Sequence, residues 1–296
     1  MKVKISVPAT SANLGPGFDC LGLSLDFRNY FSVQESCKQT ISIVGEGERF
    51  SKLRADNIFV KIFLENLKKF GIEQKKFAFE FKNQIPISRG LGSSSAVITA
   101  AIAMAYFFKH QRFNKQEILN LALHYERHPD NITPAVFGGF NSAVLENNKV
   151  VHLKQDISDE IRAVVVIPNR AISTKYSRQT LPKKYSNTDS VYNISRSSLM
   201  CMAFMQKRWD LLRVASKDKL HQYRRMKQYP VLFAIQKIAL DNGALMSTLS
   251  GSGSSFLNIC LKEDAVKIAQ TLQSKFPNFK IINIAFDNQG LRLEKD

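Results

Sequence analysis

The chain has 296 residues, 44% of them hydrophobic, a length that supports an ample buried core and a composition that excludes collagen-like, disordered and disulfide-scaffold proteins. Its 42 Lys plus Arg against 25 Asp plus Glu give a formal net charge of +17, an excess that attracts anions and makes nucleic acid the first partner to weigh. No run of five basic residues occurs, and the densest clusters are pairs such as Lys68-Lys69, Lys75-Lys76, Lys183-Lys184 and Arg224-Arg225, as expected of cations spread over a solvated surface.

The first eight residues alternate polar and apolar side chains, so 2–7 reads as a strand; a secretion signal, with its apolar core, is not visible. The segment Pro8-Ala-Thr-Ser-Ala-Asn-Leu-Gly-Pro-Gly-Phe-Asp-Cys-Leu-Gly22 then breaks the strand with three glycines and two prolines, and sets Asn13 and Asp19 among small residues, which suits a ligand-lined loop. Strands follow at 24–34 and 40–44. Residues 57–70 carry Ile58, Ile62, Leu67 and Phe70 at helical spacing, with Gly71 as a stop. The stretch 76–82 alternates again, with Phe77, Phe79 and Phe81 on one face.

Next comes the strongest local signal, Pro86-Ile-Ser-Arg-Gly-Leu-Gly-Ser-Ser-Ser-Ala96. Gly90 and Gly92 allow a sharp turn and close approach to a ligand. The serines open a buried helix at 93–108, and a helix start offers unpaired N–H groups and a positive dipole end to a phosphate. No lysine follows the glycines, so this is not the common Gly-x-x-x-x-Gly-Lys-Ser/Thr loop. The apolar stretch from Ala96 to Phe108 is too short to span a bilayer and is closed by Lys109 and His110. A helix is expected at 115–126. Then Tyr125-Glu-Arg-His-Pro-Asp-Asn-Ile-Thr-Pro-Ala-Val-Phe-Gly-Gly139 brings a carboxylate, an imidazole, a second carboxylate and an amide within six residues. Glu126 there is suited to Mg²⁺, which takes one or two carboxylates plus phosphates. A hairpin at 140–145 and 150–153 turns around Asn147-Asn148.

Beyond about 156 the pattern starts afresh, with a strand at 162–168, helices at 190–206, 209–216 and 229–241, strands at 245–249 and 255–261, a helix at 264–275 and a strand at 280–286. Strands and helices mix in both halves, so the expected class is α+β with domains at 1–155 and 156–296. Leu249-Ser-Gly-Ser-Gly-Ser-Ser-Phe256 reads as a turn between two of these strands. The four cysteines (Cys20, Cys37, Cys201, Cys260) are scattered without metal-ligand spacing and read as buried thiols in a reducing compartment, which places the chain in the cytoplasm.

Taken together and in this order, the four glycine-rich or polar segments resemble the GHMP kinase superfamily, whose phosphate loop is Pro-x-x-x-Gly-Leu-Gly-Ser-Ser. Within it, Pro-Ala-Thr-Ser-Ala-Asn-Leu-Gly-Pro-Gly-Phe-Asp and His-Pro-Asp-Asn-x-x-Pro-Ala are similar to the homoserine kinase family. Further matches run through Ser173-Thr174, Arg178, Leu181-Pro182, Asp189, Val191, Asn193, Asp218, Leu220, His221 and Gln222, so the resemblance covers nearly the whole chain.

The resemblance implies ATP and Mg²⁺ as cofactors and a small amino-acid substrate whose hydroxyl receives the phosphoryl group. It implies an N-terminal ribosomal-protein-like α+β domain with a left-handed β-α-β unit, a C-terminal ferredoxin-like domain, no membrane segment, and dimers as the usual state. Pro86, Arg89, Gly90, Leu91, Gly92, Ser93, Ser94 and Ser95 would wrap the ATP phosphates, with Asn57 near the adenine, and Glu126 and Ser94 would hold the metal. Asn13, Asp19, His128 and Asn131 match the positions that grip the amino acid, Asp19 being the partner for its ammonium by charge. Arg178 and Arg225 match the contacts to its carboxylate, where a guanidinium binds two oxygens, and Thr174 matches a threonine at the reacting centre. Asn131 stands where other members place an aspartate, which points to catalysis by positioning and charge neutralisation rather than by a base. Three departures stand out: Arg127 replaces a usual glycine, Ser254-Ser255 replaces a Gly-Pro continuation, and Gln222-Tyr-Arg-Arg225 lets Arg224 compete for the role given to Arg225. A kinase of another small alcohol, such as mevalonate or a sugar, is the near alternative; a nucleic-acid-binding protein on a related fold is the distant one, and no basic-aromatic stripe supports it.

Overall fold

The computed structural model describes residues 1–72 and 75–294. β1 (Lys2–Ala12) and β2 (Leu21–Ser36) form a long antiparallel pair whose register shifts between Pro8 and Ala9. β3 (Thr40–Gly45), the short α1 (Ser51–Ala55) and α2 (Ile58–Lys69) lead to β4 (Lys76–Asn83), which lies parallel to β3 and antiparallel to β2. α3 (Ser93–His110), α4 (Lys115–Ala122) and α5 (Pro129–Phe137) follow, then the hairpin of β5 (Phe140–Glu146) and β6 (Lys149–Gln155), which joins the sheet through β2. Both hairpin-turn residues, Asn147 and Asn148, take positive φ, the geometry a two-residue turn requires.

The second sheet opens with β7 (Ile161–Ile167). α6 (Thr174–Gln179), α7 (Asn187–Met205), a 3₁₀ turn at Trp209–Leu211, α8 (Leu212–Ala215), α9 (Gln222–Met226) and α10 (Val231–Asp241) come next. β8 (Met246–Leu249), β9 (Phe256–Leu261), α11 (Ala265–Lys275) and β10 (Lys280–Ile284) complete it, in the order β10-β7-β9-β8 with every pair antiparallel. That order and connection pattern is the ferredoxin-like arrangement. The chain then returns: β11 (Arg292–Leu293) pairs with β1 at the edge of the first sheet.

The expected one-faced strand at 76–82 is explained by the core. Phe77, Phe79 and Phe81 are buried together with Phe31, Phe59 and Phe63, their rings meeting edge-on or tilted. Each such ring contributes about 1.5–3 kcal/mol on burial. α3 runs through the same core, buried at nearly every position from Ser95 to Tyr106.

Some expectations need correcting. The helix expected to 126 ends at Ala122. Pro129 biases its predecessor toward extended backbone, and His128 sits at φ −104, ψ 117 as the N-cap of α5, so Glu126 lies in the connection. No helix is expected over 129–137, where a polar segment instead proves to form α5. Pro129 occupies the first helical turn, where it is tolerated, while Pro134 cannot bond the carbonyl of Asp130, and Gly22 packs so closely on that carbonyl that any Cβ would overlap it. The helix expected from 190 starts at Asn187, capped by Ser186 Oγ. The strand expected to 286 stops at Ile284, and Phe286 bridges to Leu25 of the first sheet. α6 and α9, each of five or six residues, are too short to show periodicity. Cys37 is exposed rather than buried.

Candidate active site

A cavity of about 390 Å³ lies where loops from both sheets converge. One half is polar, lined by Asn13, Asp19, His128, Asn131, Thr174, Arg178 and Arg225. The other is mostly apolar, with Phe31, Ile43, Leu53, Ile58, Phe59 and Phe81. Between them run residues 87–95, the glycine loop and the start of α3.

The loop takes its shape from what lies behind it. Gly90 (φ +76) passes so close to the carbonyl of Ser250 that a side chain has no room, and at Gly92 (φ +68) a Cβ would overlap the Thr10 side chain. Ser250 Oγ donates to the Gly90 carbonyl (2.6 Å) and the Ser255 N–H donates to the Arg89 carbonyl (3.0 Å). The Ser-Gly turn at 250–255, uninformative by itself in the sequence, is therefore the back wall of the glycine loop. Ser254, one of the departures, is fully buried and donates to the Arg170 carbonyl. Pro86 is buried and lies outside the cavity lining. The Arg89 guanidinium is taken up by the carbonyls of Pro168 (3.0 Å), Ile87 (3.1 Å) and Asn169 (3.2 Å), so it clamps the loop to the strand end of β7. Asn57 caps α2: its Oδ1 accepts from Val60 N–H and its Nδ2 donates to Leu53 O. It lines the cavity with both polar groups already used.

Of the three serines, Ser94 is exposed toward the cavity, and Ser95 donates to Glu126 Oε2 at 2.7 Å. Glu126 thus bonds Ser95, while Ser94, expected beside it at a metal, faces the cavity. Burial pushes the Glu126 carboxyl above the usual carboxylate range, the Ser95 hydrogen bond acting against it. Among the described residues no group of three His, Cys, Asp or Glu could hold a metal. One carboxylate with two hydroxyls nearby fits Mg²⁺, which keeps most of its ligands as water and phosphate.

In the polar half, Asp19 and Arg178 form a bidentate ion pair (2.8 and 2.9 Å) across 159 residues of sequence. His128 Nδ1 lies 3.6 Å from the same carboxylate; burial lowers its pKa, with Asp19 opposing. Asn13 takes left-handed backbone (φ 71) and holds the loop, accepting from Asp19 N–H and donating to Gly251 O. Asn131 Oδ1 accepts from Thr10 Oγ1 at 2.8 Å. Thr174 Oγ1 is 3.3 Å from Ser252 Oγ. Arg225 Nη1 donates to Gly251 O (3.0 Å), and burial lowers its pKa to about 10, Arg178 adding to the effect. Arg224 lines a different hollow, which settles which of the two arginines faces this cavity. Arg127 is exposed and absent from the lining.

Two residues were not foreseen. Phe18 lies under both guanidiniums, each 5.3 Å from its ring, and stacks on His221 (5.1 Å). Its position beside Asp19 in a small-residue loop was the only signal. Asp130 lines the cavity, is 4% exposed, and leaves Oδ1 without a hydrogen bond. Burial, with Asp19 and Glu126 adding, raises its pKa to about 8. The folded carboxyl therefore keeps its proton where the unfolded one, near 3.8, has lost it. Stability of the ligand-free protein is expected to fall as pH rises from about 4 to about 8, because the folded state binds more protons across that window. Urea unfolding of the Asp130→Asn variant at both ends should show a shallower fall; an unchanged pH profile would assign the titration elsewhere.

Comparison with known proteins places these features in a family. Residues 57–139 match the GHMP kinases N terminal domain and 203–278 match the GHMP kinases C terminal domain. A homoserine kinase of Helicobacter pylori is 59% identical over 292 residues, covering 99% of both chains, and one of Wolinella succinogenes is 59% identical over 287 residues, 97% of this chain and 98% of the relative. Among solved structures, a homoserine kinase from Cytophaga hutchinsonii superposes with a TM-score of 0.87 at 26% identity, covering 99% of this chain and 97% of that one.

Proposed function

The chain belongs to the homoserine kinases of the GHMP kinase family, and from that premise we propose that it transfers the γ-phosphoryl group of ATP to the side-chain hydroxyl of L-homoserine, a step of threonine biosynthesis. The observation that carries the reading beyond the family is the Asp19–Arg178 pair at the cavity wall. An amino acid presents an ammonium and a carboxylate a few bonds apart, and a paired carboxylate and guanidinium are their complement. Arg225 adds a second cation for the substrate carboxylate, and Phe18 lies against both guanidiniums. The apolar half accepts the adenine ring, and the N–H groups opening α3 face the phosphates.

In this reading Glu126, with Ser94 and Ser95, holds Mg²⁺, which supplies charge neutralisation at the phosphates. Asn131, fixed by Thr10, orients the hydroxyl from the other side, with Thr174 beside it. An amide accepts no proton at neutral pH, which suits a loose phosphoryl-transfer transition state that needs little help from a base. Arg178 and the helix start then stabilise the charge that builds on the transferring group. The proposal extends to a cytoplasmic homodimer; no helix among the described residues is long and apolar enough to cross a membrane.

ADP release with Mg-ATP across L-homoserine, L-serine, mevalonate and galactose tests the substrate. Turnover on L-homoserine is expected, and turnover confined to mevalonate or galactose would overturn the assignment. Arg178→Ala should raise the KM for L-homoserine on the order of tenfold to a hundredfold, the loss of a charged bidentate contact, with the KM for ATP nearly unchanged.

A further inference from the structure

A second hollow, of about 1010 Å³, opens on the other side of α9. Five cations line it: Arg213, Lys217, Lys219, Arg224 and Lys227. The two carboxylates in its wall do not balance them. The Asp218 side chain is completely buried and turned inward, accepting from the N–H groups of Leu220 (3.0 Å), His221 (2.9 Å) and Gln222 (2.6 Å) and from Asn193 Nδ2 (2.7 Å). Asp189 is shared with Lys219 at 3.4 Å. Among the described residues the side chains of Lys217 and Arg224 make neither a hydrogen bond nor an ion pair, and Asp189, the carboxylate on which Arg224 acts, is already shared with Lys219. Tyr192 and Tyr223 stand in the same wall with Lys219 (4.8 Å) and Lys227 (4.7 Å) over their rings, and Phe233 packs edge-on against Tyr223. An excess of cations over carboxylates beside aromatic rings is the chemistry that takes an organic phosphate.

The partition between this hollow and the first cavity is a single stretch of chain. Arg224 faces one side and Arg225 the other. Ser216, Lys217, Asp218, Lys219 and Gln222 line the second hollow, and the substrate loop rests on the reverse of the same segment. His221 Nε2 lies 2.8 Å from the Gly15 carbonyl, Phe18 stacks on His221, and Gly15 packs against the Ser216 carbonyl too closely for any side chain. Asn193, which holds Asp218, also donates to the Pro16 carbonyl (3.2 Å). A displacement of 216–226 therefore reaches the loop that carries Asp19.

We propose that the second hollow binds an organic phosphate of nucleotide size, and that its occupancy is coupled to amino-acid binding through the 216–226 partition. The binding half is independent of the assigned reaction, whereas the coupling half rests on the homoserine reading. Calorimetric titration of the whole chain with Mg²⁺ and a non-hydrolysable ATP analogue should reveal about two equivalents, the weaker of them suppressed by added salt. The Lys217→Glu/Arg224→Glu variant should retain about one, and the milder Lys217→Gln/Arg224→Gln pair should weaken the same site without abolishing it. A single equivalent in the wild type, or two surviving in the charge-reversed variant, would overturn the site. For the coupling, the apparent KM for L-homoserine should shift about twofold or more as ATP is raised past saturation of turnover, in the wild type and not in the variant. A KM that stays flat in the wild type overturns the coupling. Absence of any turnover on L-homoserine would instead sink the substrate assignment and leave the stoichiometry standing.

Discussion

Glu126→Gln is expected to lower kcat on the order of 10²–10³-fold, the loss typical when one charge-stabilising contact to the transition state is removed. The substitution is nearly isosteric and leaves an acceptor for the Ser95 hydroxyl, 2.7 Å away. What it removes is the negative charge proposed to hold Mg²⁺. The ligand-free fold should not suffer, since burial already disfavours the ionised form of this carboxyl. The folded group holds its proton more tightly than the unfolded one, so near neutral pH the ionised carboxylate lowers stability and the amide does not. The expected result is therefore a melting temperature at least as high as that of the wild type, together with a collapsed turnover and a raised requirement for Mg²⁺. A variant that keeps turnover within about tenfold of the wild type at ordinary Mg²⁺ would remove Glu126 from the metal site.

Asp287→Ala should cost about 3–5 kcal/mol, because it leaves the buried Arg28 guanidinium without its counter-charge. Arg28 and Asp287 are almost wholly enclosed. Arg28 also donates to Ser6 Oγ (2.8 Å) and the Gly290 carbonyl (2.5 Å), and Asp287 accepts from the Gln289 and Gly290 N–H groups. The pair thus fastens the returning tail to β1 and β2. Against a total stability of roughly 5–15 kcal/mol for a folded domain, such a loss is measurable as a large drop in the urea midpoint. Replacing both partners by apolar residues, Arg28→Met with Asp287→Leu, should recover much of it, since neither desolvation penalty then remains. A single substitution costing less than about 1 kcal/mol would show that water reaches the pair.

What the sequence made legible was contiguous. The phosphate loop, the helix it opens and the phenylalanine face of β4 are each written within a dozen residues. The ferredoxin-like half follows from strand and helix order, once the family resemblance supplies the topology. The harder features are those joined across long separations. Asp19 and Arg178 stand 159 residues apart, and no periodicity links them. Which of three consecutive serines meets Glu126 depends on a rotation of roughly 100° per residue along the helix, and the string Ser93-Ser94-Ser95 carries no mark of it. α5 was hidden because its first turn, Pro129-Asp-Asn131, reads locally as part of a polar, ligand-lined segment. Its carbonyl left open by Pro134 is accommodated by Gly22, from another part of the chain. Asp130, beside the expected asparagine, was passed over because burial and the charges around it cannot be seen from neighbouring letters.

The return of β11 to β1 sets an order of events during synthesis. β1 acquires its outer neighbour from residues 292–293, almost three hundred positions later in the chain. Until then one edge of β1 offers open N–H and C=O groups over the segment that β11 will cover, a surface that invites mispairing in a partly made chain. Arg28 likewise waits 259 positions for Asp287. Closure of the first sheet is therefore tied to completion of the second, so the loops that meet at the cavity are locked in place only as the tail is laid down. Such distant pairing slows folding, and it makes the pairing of 292–293 with β1 a late step in closing the first sheet.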